Sequence, residues 1–464
     1  MPLGRPIRVL SDYSTLSAVC ARLQAHMALY GYETLETPII ENAALFLTKA
    51  GDQIVDKLFT FERHGRQFAL RPEFTAAAAR RYLMEEQQSA VRWQFSGPVF
   101  EDDSQRSNIQ WTSIGAELLG ASGATADAEI LAVAARGLMK LGLPKWHLVI
   151  GHVGLTRRLL ERFTLDARTR RTILQHRDLL KNREGGNAQL LSALQLATNG
   201  SGSIVEPDAV ARDNTKVMLD ALLDATRRGE TLGSRSRRDI AERLLQKRQQ
   251  ASDSNRVQAA LDFLAAWVSI SEHPEAAFSQ AQEFVGDDAL AGQMLAEWRE
   301  TLVLLHEYGI PSEQITLQPD LARTWDYYTG IVFELRTDDG SLLAGGGRYD
   351  ELTRLIGGKK DVPAVGFAYD ADTLIQHLPS VTIPETRRIY IRALNGNRAQ
   401  AIHWAERFRE RGVTVVLALD NGSPQDVHFI DIEEESTIRY KHQSYSLEQI
   451  DTLIAQFNQE NPNV

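Results

Sequence analysis

The chain has 464 residues, 43% of them hydrophobic and 24% charged, and a formal net charge of −10 at pH 7. This length predicts two or three domains, and the negative charge argues against broad affinity for nucleic acid. Cys20 is the single cysteine, which excludes a disulfide framework and a thiolate metal cluster. The sequence has neither an apolar run of the roughly 18 residues that span a bilayer nor the apolar core of a secretory signal. We therefore expect a soluble cytoplasmic protein.

Helical and strand patterns alternate over residues 1–154. Apolar residues at three- and four-residue spacing predict a first helix that Gly31 ends, and Pro38 interrupts the strand after it, because proline cannot donate to a ladder. The predicted elements are helix Ser14–Tyr30, strand Tyr32–Ile40, hairpin strands Leu58–Phe61 and Gln67–Leu70, helix Ala76–Met84, strands Trp93–Phe100 and Ile109–Leu118, helix Asp127–Gly142 and strand Trp146–Gly151.

Two glutamates in this part are candidates for a binding site. Glu73 precedes a predicted helix, where the helix dipole favours a carboxylate. The alternative is an ordinary acidic residue at a helix start. Glu117 alternates with apolar neighbours in its strand, so its side chain faces either solvent or a pocket.

The pattern from Leu155 to about Tyr308 is helical throughout. Two arginine clusters, Arg168–Arg171 and Arg235–Arg238, suggest either an RNA-binding face or a solvated helix surface. Neither cluster contains the interleaved aromatic residues that stack on bases, which favours the solvated surface.

The run Leu321–Glu334 places polar and aromatic residues on a turn before a period-two apolar strand, Ile331–Leu335. These polar and aromatic side chains suit a small zwitterionic ligand. The guanidinium of Arg323 can hold a carboxylate in a forked pair, and Asp326 with the neighbouring phenols can accept from an ammonium or a ring nitrogen. The alternative is an edge strand with an Arg–Asp pair.

The last 80 or so residues predict a small α/β unit after a short linker, Pro379–Pro384. Its predicted elements are strand Arg388–Ala393, helix Arg398–Arg411, strands Val413–Leu419, Val427–Ile432 and Thr437–Lys441, and helix Leu447–Phe457.

Five sequence blocks resemble those of histidyl-tRNA synthetase. Arg323–Thr329 resembles the histidine-specific signature, usually Arg-Gly-Leu-Asp-Tyr-Tyr, and Gly345–Asp350 and Pro363–Ala368 are similar to the next two blocks of that family. Leu70–Thr75 and Gly97–Phe100 resemble the ends of class II synthetase motif 2. All five stand in the order in which the family has them.

The resemblance implies an α+β fold, with an antiparallel core like that of class II aminoacyl-tRNA synthetases, a helical insertion and a small C-terminal α/β domain. The first helix and its proline strand would be motif 1, the dimer seam. The implied domains are 1–154 and 311–378 for the two parts of the core, 155–310 for the insertion, and 385–464 for a shortened anticodon-binding-like domain. That last domain lacks the helix expected between its second and third strands, where Asp420–Asp426 stands instead.

The resemblance also implies a histidine pocket. Glu73 and Thr75 would hold the α-ammonium group, and Glu117 would meet the imidazole, whereas Ser113 stands in the place of a family glutamine. The implied histidine-binding residues are Glu73, Thr75, Ser113, Glu117, Arg323, Asp326, Tyr327, Tyr328 and Tyr349.

The ATP side of the site departs from the family. Family members neutralise the phosphates with one arginine after the motif 2 strand and another in motif 3. This chain has Glu101 and Thr373 at those positions, and Asp370 replaces the glycine under the nucleotide. One charge-assisted contact contributes roughly 1.5–3 kcal/mol, so we expect no activation of an amino acid with ATP.

A chain with the amino-acid pocket but without the ATP arginines resembles the regulatory subunits of ATP phosphoribosyltransferase, non-catalytic paralogues of the synthetase. That resemblance implies a short-form catalytic subunit as partner, L-histidine as ligand, and a homodimer within a hetero-oligomer. It implies no catalytic residue, metal or cofactor, and we expect neither a membrane nor a nucleic acid as partner. The alternatives are a divergent histidyl-tRNA synthetase and a synthetase-like protein that binds RNA or another enzyme.

Overall fold

The computed structural model describes residues 13–47, 55–103, 108–181, 190, 255–323, 325, 327–379, 389–392, 398–418, 428–434, 437–440 and 443–459. The chain divides into two compact units, Met1–Pro379 and Ser380–Val464. No helix within the described ranges has both the length and the apolar character needed to cross a lipid bilayer.

The first unit is built on a large β-sheet. Its strands are β1 Glu33–Thr34, β2 Ile40–Asn42, β3 Thr60–Arg63, β4 Arg66–Leu70, β5 Val91–Phe100, β6 Gln110–Leu119, β7 His147–His152, β8 Ile315–Leu317, β9 Ile331–Arg336, β10 Leu342–Arg348 and β11 Ala364–Asp370. The order in the large sheet is β1-β5-β6-β11-β10-β9-β7-β8. The inner strands pair antiparallel, and the edge strands β1 and β8 pair parallel with their neighbours. The predicted antiparallel core is confirmed, with a parallel strand added at each edge.

The single strand predicted over Tyr32–Ile40 is wrong. The structure divides it into β1, at the edge of the large sheet, and β2, which pairs with β4 in a separate small sheet. Pro38 lies between the two strands and has no N–H to donate, so one continuous ladder cannot run through it. The guanidinium of Arg71, just after β4, bridges this break by donating to the carbonyls of Thr37 and Pro98, both at 2.9 Å.

Helices pack on both faces of the large sheet. The helices are α1 Tyr13–Ala28, α2 Ala44–Leu47, α3 Thr75–Met84, α4 Ala124–Lys140, α5 Val153–Leu160, α6 Ala167–Gln175, α7 Pro274–Val285, α8 Ala289–Glu307, α9 Leu352–Leu355 and α10 Ala371–His377, with a further helical stretch over residues 255–267. The alanine-rich α4 is buried along most of its length, and Tyr369 of β11 donates to the carbonyl of Ala134 within it. Alternate residues of β11 point the other way, towards the face on which the candidate site and α3 lie.

The second unit is a small α/β structure, as predicted. Its elements are β12 Ile389–Arg392, α11 Arg398–Arg409, β13 Val415–Ala418, β14 His428–Glu434, β15 Thr437–Tyr440, β16 Gln443–Ser446 and α12 Ile450–Gln459. The sheet order is β13-β12-β14-β15-β16, with the first three strands parallel. The sequence analysis missed β16, and Asp420–Asp426 lies outside the described residues.

Candidate functional site

Glycines open space on one face of the central strands. The strand register places Gly366 opposite Glu117, and Gly345 opposite Glu334. A Cβ atom at Gly366 would lie 1.6 Å from Oε2 of Glu117, and one at Gly345 would lie 1.7 Å from Nη1 of Arg323. Glycine in a strand often marks a place where another group approaches the backbone closely. Here the two glycines let a carboxyl and a guanidinium lie against the sheet.

Glu73 and Glu117 form a carboxyl pair bridged by Thr75. Glu73 lies just before α3 and accepts hydrogen bonds from the backbone amides of Thr75 and Ala76, the latter at 3.0 Å. The Thr75 hydroxyl donates to Oε1 of Glu117 at 2.6 Å, and the Tyr349 hydroxyl donates to Oε2. Within the described part of the chain, these donors are all neutral. A cationic group brought close to the pair would therefore be stabilised by it.

The two carboxyls titrate near neutral pH. Burial raises the pKa of Glu117 to about 8 and that of Glu73 to about 7. Loss of water disfavours the charged form, the hydrogen bonds from Thr75 and Tyr349 partly offset this, and the charge of Glu73 adds to the rise at Glu117. An ammonium or imidazolium group entering the site would draw both carboxyls into their ionised form.

Three tyrosines surround the carboxyl pair. The ring centre of Tyr327 is 4.8 Å from that of Tyr328 and 5.7 Å from that of Tyr349, and all three side chains are buried. The Thr75 side chain lies close to the hydroxyl of Tyr327 and lowers the pKa of Tyr327 against the rise caused by burial. Burial raises the pKa of each tyrosine above its ordinary value, so the phenols stay neutral. They supply hydroxyl groups and apolar ring faces next to the carboxyls.

Arg323 adds a permanent positive charge to the site. Its Nη1 donates to Oε1 of Glu334 at 2.9 Å, and its charge is close enough to lower the pKa of Tyr328 against the rise caused by burial. A guanidinium, two carboxyls and neutral hydroxyls together complement an amino acid whose side chain is also basic.

Two of the nine predicted histidine-binding residues are not placed in this cluster. Asp326 lies outside the described residues, so its role stays a prediction. Ser113 is buried on β6 in register with Asp370 and points to the same face of the sheet as Glu117, four residues away, with about 13 Å between their Cα atoms at the usual rise, so its role also stays a prediction. The cluster instead includes Glu334, which the sequence analysis did not assign, because its alternation with apolar neighbours is equally typical of a solvated strand face.

The ends of β5 and β11 are acidic. Glu101 and Asp103 follow β5 and both lie near Lys57, whose Nζ is 2.8 Å from Asp103. Asp370 ends β11 and accepts a hydrogen bond from the backbone amide of Thr373 at 3.0 Å, which caps α10. Carboxylates at these positions repel a polyphosphate.

A family model for histidyl-tRNA synthetase matches residues 10–207 and 214–374, more than half of the chain. The chain belongs to the histidyl-tRNA synthetase family. The match ends before the second compact unit, which begins at Ser380. The family resemblance and the class II synthetase-like fold expected from the motifs are both confirmed.

Relatives within the histidyl-tRNA synthetase family have two kinds of name. A histidine–tRNA ligase of Methanospirillum hungatei is 28% identical over 402 residues, which cover 85% of this chain and 79% of the relative. An ATP phosphoribosyltransferase regulatory subunit of Mesorhizobium japonicum is 30% identical over 383 residues, which cover 78% of this chain and 97% of the relative. The predicted resemblance to regulatory subunits is thereby confirmed.

A solved structure supports the same fold. The crystal structure of an ATP phosphoribosyltransferase regulatory subunit/histidyl-tRNA synthetase from Bacillus halodurans has a TM-score of 0.65 with this chain at 23% sequence identity. The superposition covers 93% of this chain and 98% of the solved one. The likeness is one of fold.

Gly366→Ala is expected to disrupt this family site and to lower the melting temperature by several degrees. The added methyl group would meet Oε2 of Glu117 at 1.6 Å and the carbonyl of Ala116 at 2.9 Å, and overpacking of this kind costs about 1–3 kcal/mol. Gly292→Ala is the matched control, since the nearest atom to its new methyl group is 3.9 Å away and alanine favours the helix α8. Thermal unfolding of both variants checks this, and equal melting temperatures would contradict it.

Proposed function

We propose that this chain is a non-catalytic regulatory subunit of ATP phosphoribosyltransferase in the cytoplasm. It would bind L-histidine at the cluster around Glu73 and Glu117, form a homodimer, and assemble with a short-form catalytic subunit. In that assembly it would activate the catalytic subunit and take part in feedback regulation by histidine.

The contrast between the two ends of the site carries the proposal. The amino-acid end has carboxyls, phenols and a guanidinium within one buried cluster. At the nucleotide end, Glu101 and Thr373 stand where family members place arginines for ATP. Two charge-assisted contacts contribute roughly 3–6 kcal/mol together, which is about two to four orders of magnitude in affinity or rate. A site of this kind suits an amino-acid sensor.

In this proposal, regulation arises from a coupling free energy between histidine binding and the arrangement of the assembly. Histidine bound at the carboxyl pair would favour one arrangement of the assembly, and the catalytic subunit would respond to that arrangement across the interface. The relatives named as regulatory subunits support this assignment, because the chain aligns with 97% of the length of such a protein.

Calorimetric titration tests the proposal. Histidine is expected to bind and release heat, whereas ATP with magnesium is expected to give no binding isotherm. A second assay adds the chain to a short-form catalytic subunit and measures the rate of phosphoribosyl transfer. Phosphoribosyl transfer by the chain alone, or no change in the partner's rate, would refute the proposal.

The alternatives are distinguished by the same titrations. Tight ATP binding would support a divergent histidyl-tRNA synthetase, a function favoured by the ligases among the relatives. No binding of either ligand would support a synthetase-like protein that acts on RNA or another enzyme. The second compact unit, which lies outside the family match, would then be the part to test for a partner.

A further inference from the structure

Glu334 lies between Arg323, which belongs to the binding cluster, and the more exposed Arg336. Its side chain lies on β9 and is buried, with 6% of its surface exposed. Oε1 accepts a hydrogen bond from Nη1 of Arg323 at 2.9 Å, and Oε2 accepts one from Nε of Arg336, also at 2.9 Å. The carboxylate is thus shared between a guanidinium in the site and a guanidinium that is 41% exposed.

The position of Arg323 depends on this carboxylate and on Gly345. The guanidinium lies over the glycine, where a methyl group would be 1.7 Å from Nη1, and Glu334 is the residue directly opposite that glycine on the next strand. Within the described residues, the hydrogen bond to Glu334 is the one that Arg323 makes, through a single nitrogen. The remaining N–H groups of the fork can therefore bind a second carboxylate.

Charge counting supports a role for Arg336, which offsets the negative charge that Glu334 places beside Arg323. Arg323, Glu334 and Arg336 form a row with two positive charges and one negative charge, so the row keeps one net positive charge. An isolated Arg323–Glu334 pair would be neutral and would attract a ligand carboxylate less strongly. Each oxygen of Glu334 accepts a hydrogen bond from a guanidinium, which fixes the carboxylate between Arg323 and Arg336 and lets it orient Arg323.

We propose that Glu334 is a positioning residue that holds Arg323 against Gly345 and so makes the site selective for ligands that carry a carboxylate. The inference rests on the proposed function, because it assigns the selectivity of the same histidine site. A preorganised guanidinium loses less conformational freedom when it binds, and a forked contact to a carboxylate adds directional preference.

The test compares L-histidine with histamine, which has the same ring and amine but no carboxylate. Calorimetric titration of the full chain with each ligand is done for the wild type, Glu334→Gln and Glu334→Asp. Glu334→Gln is expected to weaken histidine binding about tenfold and to leave histamine binding unchanged. Glu334→Asp keeps the charge and is expected to recover part of the loss.

Two further variants keep the test informative if Glu334→Gln folds poorly. Arg336→Gln acts from the exposed side and is expected to weaken histidine binding about threefold without changing histamine binding. Glu351→Gln, an exposed residue paired with Arg354 at 3.6 Å, is the control and is expected to change neither.

The outcomes separate this inference from the proposed function. Equal losses for both ligands, or no loss for either, in Glu334→Gln and Arg336→Gln would overturn the positioning role while leaving histidine binding in place. Wild-type protein that binds neither ligand would overturn the proposed function and this inference with it.

Discussion

Glu117→Gln is expected to stabilise the unliganded protein at pH 8 and to weaken histidine binding by about two orders of magnitude. Burial raises the pKa of Glu117 from an ordinary 4.5 to about 8. A carboxyl whose pKa is higher in the folded chain holds its proton more tightly there, so its contribution to stability is fully present below pH 4.5. That contribution is lost as the pH rises towards 8, at up to about 1.4 kcal/mol per pH unit.

Glutamine resembles the protonated carboxyl in shape and cannot ionise, so the variant avoids this loss. Thr75 and Tyr349 donate to different oxygens of Glu117, so in the variant one hydroxyl can rotate to accept from the amide NH2 while the other still donates to the amide oxygen. The same loss of an ionisable carboxyl weakens histidine binding, because the ligand's cation no longer meets a carboxylate. Two orders of magnitude correspond to about 2.7 kcal/mol, within the range of a charged hydrogen bond.

Urea unfolding at pH 5 and pH 8, together with histidine titration, checks this prediction. The difference in stability between Glu117→Gln and the wild type should be larger at pH 8 than at pH 5. Glu161→Gln, at an exposed position near Arg158, is the control for a general charge effect. A variant that is less stable than the wild type at pH 8 would contradict the expectation.

Local patterns predicted most of the fold and the polar residues of the site. The helix start at Thr75 and the strand Ile331–Arg336 follow from periodicity and from residues close in sequence, and both stand within a residue or two of their predicted bounds. Glu73, Tyr327 and Tyr328 were assigned through motif resemblance, and the structure brings them together with Thr75, Glu117 and Tyr349.

The contacts that decide the chemistry join residues far apart in sequence. The Glu117–Tyr349 bond spans 232 positions, and it exists because β6, β11 and β10 are neighbours in one particular register. Gly366 shares that register with Glu117, which explains a glycine that no turn requires. A one-residue slip would turn the glycine to the other face. Periodicity within a single strand contains no information about this pairing.

The missed strand β16 has a similar explanation. Gln443–Ser446 contains one large apolar side chain, Tyr445, so it lacks the period-two apolar pattern that identifies strands. It is a strand because β15 offers its edge, and Tyr445 completes the core of the second unit. Tertiary pairing here overrides weak local preference.

Arg348→Met is expected to lower the free energy of unfolding by about 3–5 kcal/mol. The Nε of Arg348 donates to Oδ1 of Asp127 at 2.8 Å, and its Nη1 donates to Asp350 at 3.0 Å. The side chains of Arg348 and Asp127 are each 9% exposed. Without the guanidinium, Asp127 becomes an unpaired buried carboxylate, and burial already raises its pKa.

The double variant Arg348→Met with Asp127→Leu tests whether the loss of stability comes from the uncompensated charge of Asp127. Replacing both charges with apolar groups of similar size is often neutral, so the double variant should recover most of the lost stability. Arg354→Met is the surface control, because Arg354 and Asp361 are both about half exposed and such a pair contributes less than about 1 kcal/mol. Urea unfolding of the three variants gives the comparison, and an Arg348→Met cost no larger than that of Arg354→Met would refute the prediction.

The result would also show that the block Gly345–Asp350 contains residues with two different roles. Tyr349 donates to Glu117 in the site, while its neighbours Arg348 and Asp350 bind each other, and Arg348 also binds Asp127 of α4, on the other face of the sheet. Adjacent residues of a strand point to opposite faces, so one short block can serve both sides. We therefore expect Tyr349→Phe to alter ligand binding at a smaller cost in stability than Arg348→Met, and Arg348→Met to act mainly on stability.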